Sequence, residues 1–182
     1  MGRYAILAVC TANICRSPLM EMLLRRNLDS DVFEVASAGV QGWDSQPMDA
    51  DAAEQLRRLS SDPGEFRSRP LTAKIVEASD LILTATREHR AGVLSVCPSA
   101  LRRTFTLLEF DALVADTDAA SLHDLTDQAV RRRSQAPAMV DIGDPFQQGE
   151  LVHQQIAEQI NGAVGRVAEA LNTAAARGAD AG

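Results

Sequence analysis

The sequence is poor in aromatic residues and cysteine, and it has no long apolar run. Aromatic residues make up 4% of the 182 residues, and the three cysteines are an odd number that excludes a fully paired disulfide framework. No stretch approaches the roughly 18–20 consecutive apolar residues of a membrane-spanning helix, so we expect no membrane association. The apolar run 4–9 is too short for a secretory signal and predicts a buried strand, so we expect a cytoplasmic protein.

An excess of positive charge is also missing. The formal net charge is −7, so there is no basic field to wrap nucleic acid, and we expect no nucleic-acid partner. A small phosphate group remains a compatible ligand, because backbone amides and one arginine can bind it locally within an acidic protein. Cys10 and Cys15 have no Cys/His pair nearby to complete four ligands. The sequence therefore predicts no metal site, and it predicts no cofactor.

The sequence does contain an alternation of apolar strands and amphipathic helices. Hydrophobic runs predict four strands, over 4–9, 32–38, 80–84 and 104–107. Helical patterns occur at 17–28, 49–59, 71–78, from 86 onwards, 111–133 and 149–172. This alternation indicates an α/β fold with three layers, in which helices cover both faces of a four-stranded parallel sheet with Rossmann-type winding.

The length corresponds to one ordinary domain. We expect a single domain over 1–172, in which 111–139 forms a helical insertion or a lid, followed by a flexible tail over 173–182 that is rich in alanine and glycine. In the last helix, the residues expected on the buried side are Leu151, Ile156, Ile160, Val164, Val167 and Leu171. Ligands of such sheets bind beyond the carboxyl ends of the strands, which is where the loop beginning at Cys10 lies.

The loop between the first strand and the first helix carries the candidate chemistry. A strand, a short loop and a helix N-terminus direct several backbone N–H groups to one point, which favours an anion. Arg16 adds a planar fork that matches two phosphate oxygens. A cysteine thiolate beneath a bound phosphate is an in-line nucleophile, and Ser17 is near enough in sequence to hydrogen-bond Cys10. Ser17 and Pro18 also predict the N-cap and first residue of the helix.

Cys10 alone would be typical of a buried structural thiol, but the whole motif is more specific. Residues 9–18, Val-Cys-Thr-Ala-Asn-Ile-Cys-Arg-Ser-Pro, resemble the phosphate-binding loop of the low-molecular-weight protein tyrosine phosphatases of bacterial type. Other segments occur in the order of that family, namely 37–40, 47–49, 67–71, 80–83, 86–89 and the Asp-Pro-Phe at 144–146. The resemblance covers 4–110 and 140–172 and implies the α/β fold of that family.

The resemblance also implies an activity, the hydrolysis of phosphomonoesters and above all of phosphotyrosine in a protein or peptide. Cys10 would attack phosphorus to form a cysteinyl phosphate, and Arg16 would bind the phosphoryl oxygens. Asp144 would protonate the leaving oxygen and then activate water, whereas Asp141 lacks the proline that follows Asp144. The loop residues that would surround the phosphate are Thr11, Ala12, Asn13, Ile14, Cys15 and Ser17.

Supporting roles follow from the same resemblance. Asn13 would adopt a left-handed backbone conformation and bond to Ser17 and Ser37. Cys15 resembles the second loop cysteine of the family, which can form a reversible disulfide with the nucleophile, and a packed thiol is the alternative. Aromatic walls that select phosphotyrosine would be Trp43 and Phe146.

Two residues depart from the pattern of the family. Ala12 stands where the family has glycine, and Phe66 stands where it often has a histidine that bonds the loop asparagine, so we expect a strained and less firmly held loop. Ile14 stands where related arginine phosphatases carry threonine, which favours phosphotyrosine. The alternatives are a phosphatase acting on phosphoarginine or a small aryl or sugar phosphate, an arsenate reductase for which only Cys97 remains as a further cysteine, and a non-catalytic phosphate-binding regulatory module.

Overall fold

A four-stranded parallel sheet forms the centre of the protein, whose computed structural model describes residues 2–180. The strand order is β2-β1-β3-β4, with β1 at Tyr4–Cys10, β2 at Phe33–Gly39, β3 at Leu81–Thr84 and β4 at Thr104–Thr106. Cys10 pairs with Gly39 of β2, and Val9 pairs with Thr84 of β3. The carboxyl ends of the three longer strands therefore meet beside Cys10.

Helices follow the strands in the order that the sequence predicts. They are α1 at Arg16–Asn27, α2 at Ala50–Arg58, α3 at Ala73–Glu77, α4 at Arg87–Val96, α5 at Leu107–Val114, α6 at Leu122–Arg132 and α7 at Glu150–Asp180. Short 3₁₀ helices lie at Pro98–Arg103 and Arg133–Gln135.

The alternation of side chains along β1 separates two hydrophobic layers. Ile6 and Ala8 lie in the larger core beneath α1, α5 and α7, whereas Leu7 and Val9 lie in a smaller core beneath α3 and α4. Successive side chains of a strand point to opposite faces, so a strand buried on both faces is apolar throughout. The predicted three-layer α/β fold is confirmed.

Side-chain hydrogen bonds at the N-termini of several helices hold the preceding loops in place. The side chains of Asp49, Thr86 and Thr106 accept hydrogen bonds from the first turns of α2, α4 and α5. Helix α1 differs, because it begins at Arg16 and has no side-chain cap. The prediction that Ser17 caps this helix is wrong, since its hydroxyl is engaged within the loop.

The segment 111–139 contains the end of α5, the helix α6 and the 3₁₀ helix Arg133–Gln135. The single helix predicted over 111–133 is wrong, because α5 ends at Val114 and Asp116 has a φ of 55°, a left-handed conformation that stops the helix. The hydroxyl groups of Tyr4 and Thr126 are 3.1 Å apart, which attaches α6 to the first residue of β1. Tyr4 lies about 20 Å along β1 from Cys10, so this contact of α6 is at the opposite end of the strand.

Helix α7 continues well beyond the predicted end at 172. Ala174 is buried, and Arg177 forms an ion pair of 2.5 Å with Asp118 and donates to the carbonyl of Ala119. The expectation of a flexible tail is therefore wrong for 173–180, because the helix packs against the loop before α6, and 181–182 lie outside the described residues.

The first turn of α7 also differs from the expectation. Leu151, predicted to be buried, is 75% exposed, and Ile156 is half-buried. Over residues 2–180, no helix combines the length and the apolar character that crossing a membrane requires.

Candidate active site

The candidate site lies where β1 ends and α1 begins. Cys10 is the last residue of β1, and Arg16 is the first residue of the 12-residue helix α1. The Sγ atom of Cys10 is 2.9 Å from Oγ of Ser17, and both residues are almost fully buried. The sulfur thus lies close to the N-terminus of a helix, where backbone N–H groups favour negative charge.

Asn13 holds the loop 11–15 in place. It has a left-handed backbone with a φ of 59° and is fully buried. Its amide nitrogen Nδ2 donates to Oγ of Ser17 at 2.9 Å and to Oγ of Ser37 at 2.7 Å. Its Oδ1 accepts from the backbone N–H of Arg69 at 2.9 Å. The conformation and the two serine contacts are those that the resemblance implies.

These bonds also set the direction of the hydroxyl protons. Because Ser17 accepts from Asn13, its own proton is free to point at the sulfur of Cys10. Ser37 likewise accepts from Asn13 and donates to the carboxylate of Glu21.

Sequence reasoning missed Glu21, whose place on a helix face favours solvent. The side chain is buried, and burial raises the pKa of the Glu21 carboxyl, while the bond from Ser37 and the charge of Arg25 oppose that shift. Arg25 lies 2.7 Å from its Oε1.

The expectation of a strained, loosely held loop is wrong. Of the residues described, Asn13 has a positive φ in this loop and Ala12 does not, so Ala12 carries no backbone strain. The close approach falls at Gly39 instead, where an added Cβ would come within 2.5 Å of the Thr11 carbonyl oxygen. Phe66 packs against the core, and the backbone of Arg69 supplies the bond to Asn13.

Arg16 joins the loop to the segment that carries Asp144. The guanidinium is buried, and it donates to the carbonyl of Ile142 at 3.1 Å. Its second nitrogen lies 3.0 Å from Oδ2 of Asp144 and 3.5 Å from Oγ1 of Thr11. Ile142 is in turn fixed to the end of β3, since its N–H donates to the carbonyl of Ala85 at 2.9 Å.

The two aspartates of this segment have different surroundings. The Asp144 side chain is 56% exposed, and it accepts a bond of 3.3 Å from the N–H of Phe146. Asp141 instead accepts three hydrogen bonds from Arg87, two from its side chain and one from its backbone, and this pairing lowers the pKa of the Asp141 carboxyl. Asp144 is therefore placed to act on a group bound at Arg16, whereas Asp141 is occupied in fixing the start of α4.

His89 is a second residue whose contact with the phosphate loop was not predicted from the sequence. Its Nε2 is 2.8 Å from Oγ1 of Thr11, and its Nδ1 is 2.9 Å from Oγ1 of Thr86. Burial and then the positive charge of Arg16 lower the pKa of His89 to about 4, so the ring is neutral near pH 7. The available signal was the N-cap threonine three residues before a histidine, at the carboxyl end of a predicted strand.

Cys15 is a packed thiol in this structure. All three cysteines are free, and burial raises the pKa of Cys15 far above its ordinary value, with the negative charge of Asp49 as the next cause. Cys97 lies in the smaller core at the end of α4.

The remaining predicted site residues lie at the rim. Trp43 is 61% exposed and Phe146 is 40% exposed. The Trp43 loop is attached to the phosphate loop, because Gln41 N–H donates to the carbonyl of Thr11. Ile14 is half-buried against the larger core. The structure thus brings Cys10, the loop and Asp144 together, while the aromatic residues lie outside that cluster.

Comparisons with known proteins agree with this geometry. The family model described as low molecular weight phosphotyrosine protein phosphatase matches residues 5–127. The low molecular weight protein-tyrosine-phosphatase Etp of Escherichia coli K12 is 41% identical over 100 residues, which are 55% of this chain and 66% of Etp. The chain thus spans slightly less than two thirds of that relative.

Other relatives match over a longer stretch. The protein-arginine-phosphatase of Geobacillus stearothermophilus is 29% identical over 170 residues, 93% of this chain and 97% of that protein. The crystal structure of the Erwinia amylovora tyrosine phosphatase AmsI has the same fold, with a TM-score of 0.74, 22% identity and coverage of 93% and 94% of the two chains. On the family match and the shared fold, this chain belongs to the low molecular weight phosphotyrosine protein phosphatase family.

Proposed function

We propose that this protein hydrolyses phosphomonoesters through a cysteinyl-phosphate intermediate. The convergence of Cys10, Arg16 and Asp144 at the N-terminus of α1 carries the proposal. In the first step, the thiolate of Cys10 attacks phosphorus. The S–P bond forms, the P–O bond to the alcohol or phenol breaks, and the departing oxygen takes a proton from Asp144.

Arg16 and the amides of residues 11–15 bind the three phosphoryl oxygens. The fork of a guanidinium contacts two of these oxygens at once, and its burial keeps it aimed without rearrangement. The bond to Ile142 and the approach of Thr11 orient the fork. His89 acts through Thr11, as a positioning residue.

The second step returns the enzyme to its starting state. Asp144, now a carboxylate, takes a proton from water as the water oxygen attacks phosphorus and the S–P bond breaks. The proton of Ser17 points at the sulfur and stabilises the thiolate that leaves. Inorganic phosphate then dissociates. The exposure of Asp144 suits this step, since water must reach it.

Phosphotyrosine in a protein or peptide is the substrate that we propose. Trp43 and Phe146 are exposed aromatic residues on the two segments that flank the loop, and they offer faces for a phenyl ring. Ile14 gives the loop an apolar side chain rather than a hydroxyl. The name of the E. coli relative, a low molecular weight protein-tyrosine-phosphatase, supports this choice.

Phosphoarginine is the second candidate substrate. It is favoured by the Geobacillus protein-arginine-phosphatase, which aligns over 93% of this chain, a longer stretch than the tyrosine phosphatase Etp covers. Asp144 would then protonate the departing guanidinium nitrogen, and the rest of the mechanism would be unchanged.

We also propose that the protein works in the cytoplasm of a bacterial cell, without nucleic-acid or membrane partners. Three free, buried cysteines are typical of a reducing compartment, and the named relatives are bacterial.

The deciding experiment compares wild type, Cys10→Ser and Cys97→Ser on phosphotyrosine and phosphoarginine peptides under reducing conditions. Cys97→Ser is the matched control, because it changes a buried cysteine in the other core. We expect turnover of the phosphotyrosine peptide by wild type and Cys97→Ser, and none by Cys10→Ser.

Each other outcome has a defined meaning. Turnover of the phosphoarginine peptide alone would make phosphoarginine the substrate in place of phosphotyrosine. The variant Ile14→Thr would then test how the loop recognises the guanidinium group. Saturable phosphotyrosine binding without turnover by folded wild type would make the protein a binding module and would refute the enzyme.

A further inference from the structure

A second cluster of ligating side chains lies where α2 and α7 meet, outside the phosphate loop. Asp49 and Asp51 are at the start of α2, and His153 is in the first turn of α7. We propose that these three residues bind one divalent transition-metal ion of the zinc class. The sequence spacing gave no sign of this site, because slightly more than a hundred residues separate the histidine from the two aspartates.

The three ligand atoms already lie close together. Nε2 of His153 is 3.9 Å from Oδ1 of Asp49 and 3.9 Å from Oδ2 of Asp51, and all three atoms lie within 4.8 Å of one another. A tetrahedral ion at about 2.1 Å from each ligand would separate the ligands by about 3.4 Å. The required contraction is small, and the Asp51 side chain is 61% exposed and free to rotate.

His153 itself points to a ligand. Its side chain is 1% exposed, and its Nδ1 is buried without a hydrogen-bond partner. At 3.9 Å, its Nε2 is also beyond hydrogen-bond distance of either carboxylate. Buried polar groups in folded proteins almost always have a partner. A metal ion would bind Nε2, the ring nitrogen that faces the two carboxylates without bonding to either, and Nδ1 would still need a partner of its own.

The donor set selects the class of ion. One imidazole nitrogen and two carboxylate oxygens suit Zn²⁺ and neighbouring transition metals, whereas Mg²⁺ and Ca²⁺ prefer shells made of oxygen alone. Three protein ligands leave a fourth position for water, since the exposed side of Asp51 faces solvent.

The position of this metal site relates it to the candidate active site. The N–H of Asp49 donates to the carbonyl of Ile14 in the phosphate loop at 2.9 Å. The histidine ligand, His153, lies four residues after Gly149, and Gly149 is the last residue of the segment that carries Asp144. One ion would therefore fasten together the two segments that follow the loop and Asp144.

The test measures zinc binding in a chain whose loop thiols are removed, since a cysteine thiolate is itself a zinc ligand. In the Cys10→Ser/Cys15→Ser background, isothermal titration with Zn²⁺ alone is compared for the parent, Asp51→Asn, His153→Gln and His123→Gln. His123 is the matched control, because it is an exposed histidine whose Nε2 lies 3.5 Å from a single carboxylate, that of Asp127.

We expect one ion per chain in the parent and in His123→Gln, with a midpoint of unfolding that rises with zinc concentration. Asp51→Asn and His153→Gln should each weaken binding at least about tenfold, since each removes one of three ligands. Asp51 is exposed, so its variant decides the question even if His153→Gln does not fold. The proposal would be overturned if Asp51→Asn bound zinc as tightly as the parent. It would also be overturned if no saturable binding occurred below about 1 mM zinc, which corresponds to a binding free energy weaker than about −4 kcal/mol. Because the readout is binding rather than turnover, this result is independent of the phosphatase assay.

Discussion

The phosphate loop and the segment around Asp144 approach the same arginine, yet they are built in opposite ways. In the loop, Asn13 and Ser17 are fully buried and joined by hydrogen bonds to one another and to β2. In the other segment, the Asp144 side chain is 56% exposed and Phe146 is 40% exposed. In the proposed mechanism, a rigid part of the fold would hold the phosphoryl group, while Asp144, the residue that would transfer protons, keeps access to water.

This difference fits the demands of the two parts. Phosphoryl binding depends on donors that are already aimed when charge develops, which burial and satisfied hydrogen bonds provide. An acid that must later accept a proton from water gains nothing from burial. Substitutions in the loop should therefore affect stability and rate together, whereas those near Asp144 should affect rate or specificity alone.

Arg16→Lys should have the largest effect, because Arg16 belongs to both regions. A lysine has its donors on one nitrogen, so it lacks the planar fork that can contact two phosphoryl oxygens while another N–H reaches the Ile142 carbonyl. We expect kcat/KM for an aryl phosphate to fall about 1,000-fold. Arg87→Lys is the control, since Arg87 pairs with Asp141 and its side chain is 61% exposed. A loss of less than tenfold in Arg16→Lys would contradict the assigned role.

Asp144→Asn should reduce kcat about 100-fold on a phosphotyrosine peptide, because the phenolate must then leave unprotonated. The loss should be much smaller on an aryl phosphate whose phenol is strongly acidic. Stability should not change, since the carboxylate is largely exposed. Asp141→Asn provides the comparison, and an equal loss of rate in both variants would remove Asp144 from the mechanism.

Asn13→Ala should lower both stability and rate, which distinguishes the buried loop from the exposed segment. It leaves Ser17, Ser37 and the Arg69 N–H short of partners, so we expect a loss of about 3 kcal/mol in the free energy of unfolding. Asn13→Gly separates the two causes, because glycine tolerates the φ of 59°. The glycine variant should recover about 1 kcal/mol of the loss in urea denaturation, and identical values would mean that backbone strain contributes nothing.

His89→Gln should change how stability depends on pH. The folded-state pKa of His89 is lowered to about 4, so the unfolded chain takes up this proton first as pH falls. His89 therefore destabilises the fold progressively as pH drops from about 6.5 towards 4, and has no such effect at higher pH. Urea denaturation at several pH values should give a flatter curve for the variant than for wild type. Parallel curves would show that His89 titrates normally.

Trp43→Ala and Phe146→Ala should have the smallest effects. Both side chains are exposed, so the free energy of unfolding should change by less than about 0.5 kcal/mol. If these rings contact a phenyl group, KM for a phosphotyrosine peptide should rise about two- to tenfold, while KM for phosphoarginine changes less. Steady-state kinetics on both peptides measure this, and unchanged KM values would exclude aromatic selection at the rim.

Local patterns predicted the parts of the molecule that local chemistry determines. The apolar strands, the amphipathic helices and the Cys10–Ser17 loop are each encoded within short stretches of the sequence. The bond from the backbone N–H of Arg69 to Asn13 joins residues 56 positions apart, so it could not be predicted from Phe66. Burial of Glu21 and the extension of α7 to Asp180 also depend on distant partners, Ser37 and the loop before α6.

The two cysteines of the loop differ in a way that matters for chemical labelling. Burial raises the pKa of the Cys15 thiol and so disfavours its thiolate, whereas the Cys10 sulfur lies beside Ser17 at the N-terminus of α1. Electrophilic probes react with thiolates, so a haloacetamide should leave Cys15 unmodified. In a Cys97→Ser chain it should add one label, at Cys10, and phosphate should protect that sulfur. Counting added mass would then report how many molecules in a sample hold a ligand, without any substrate being turned over.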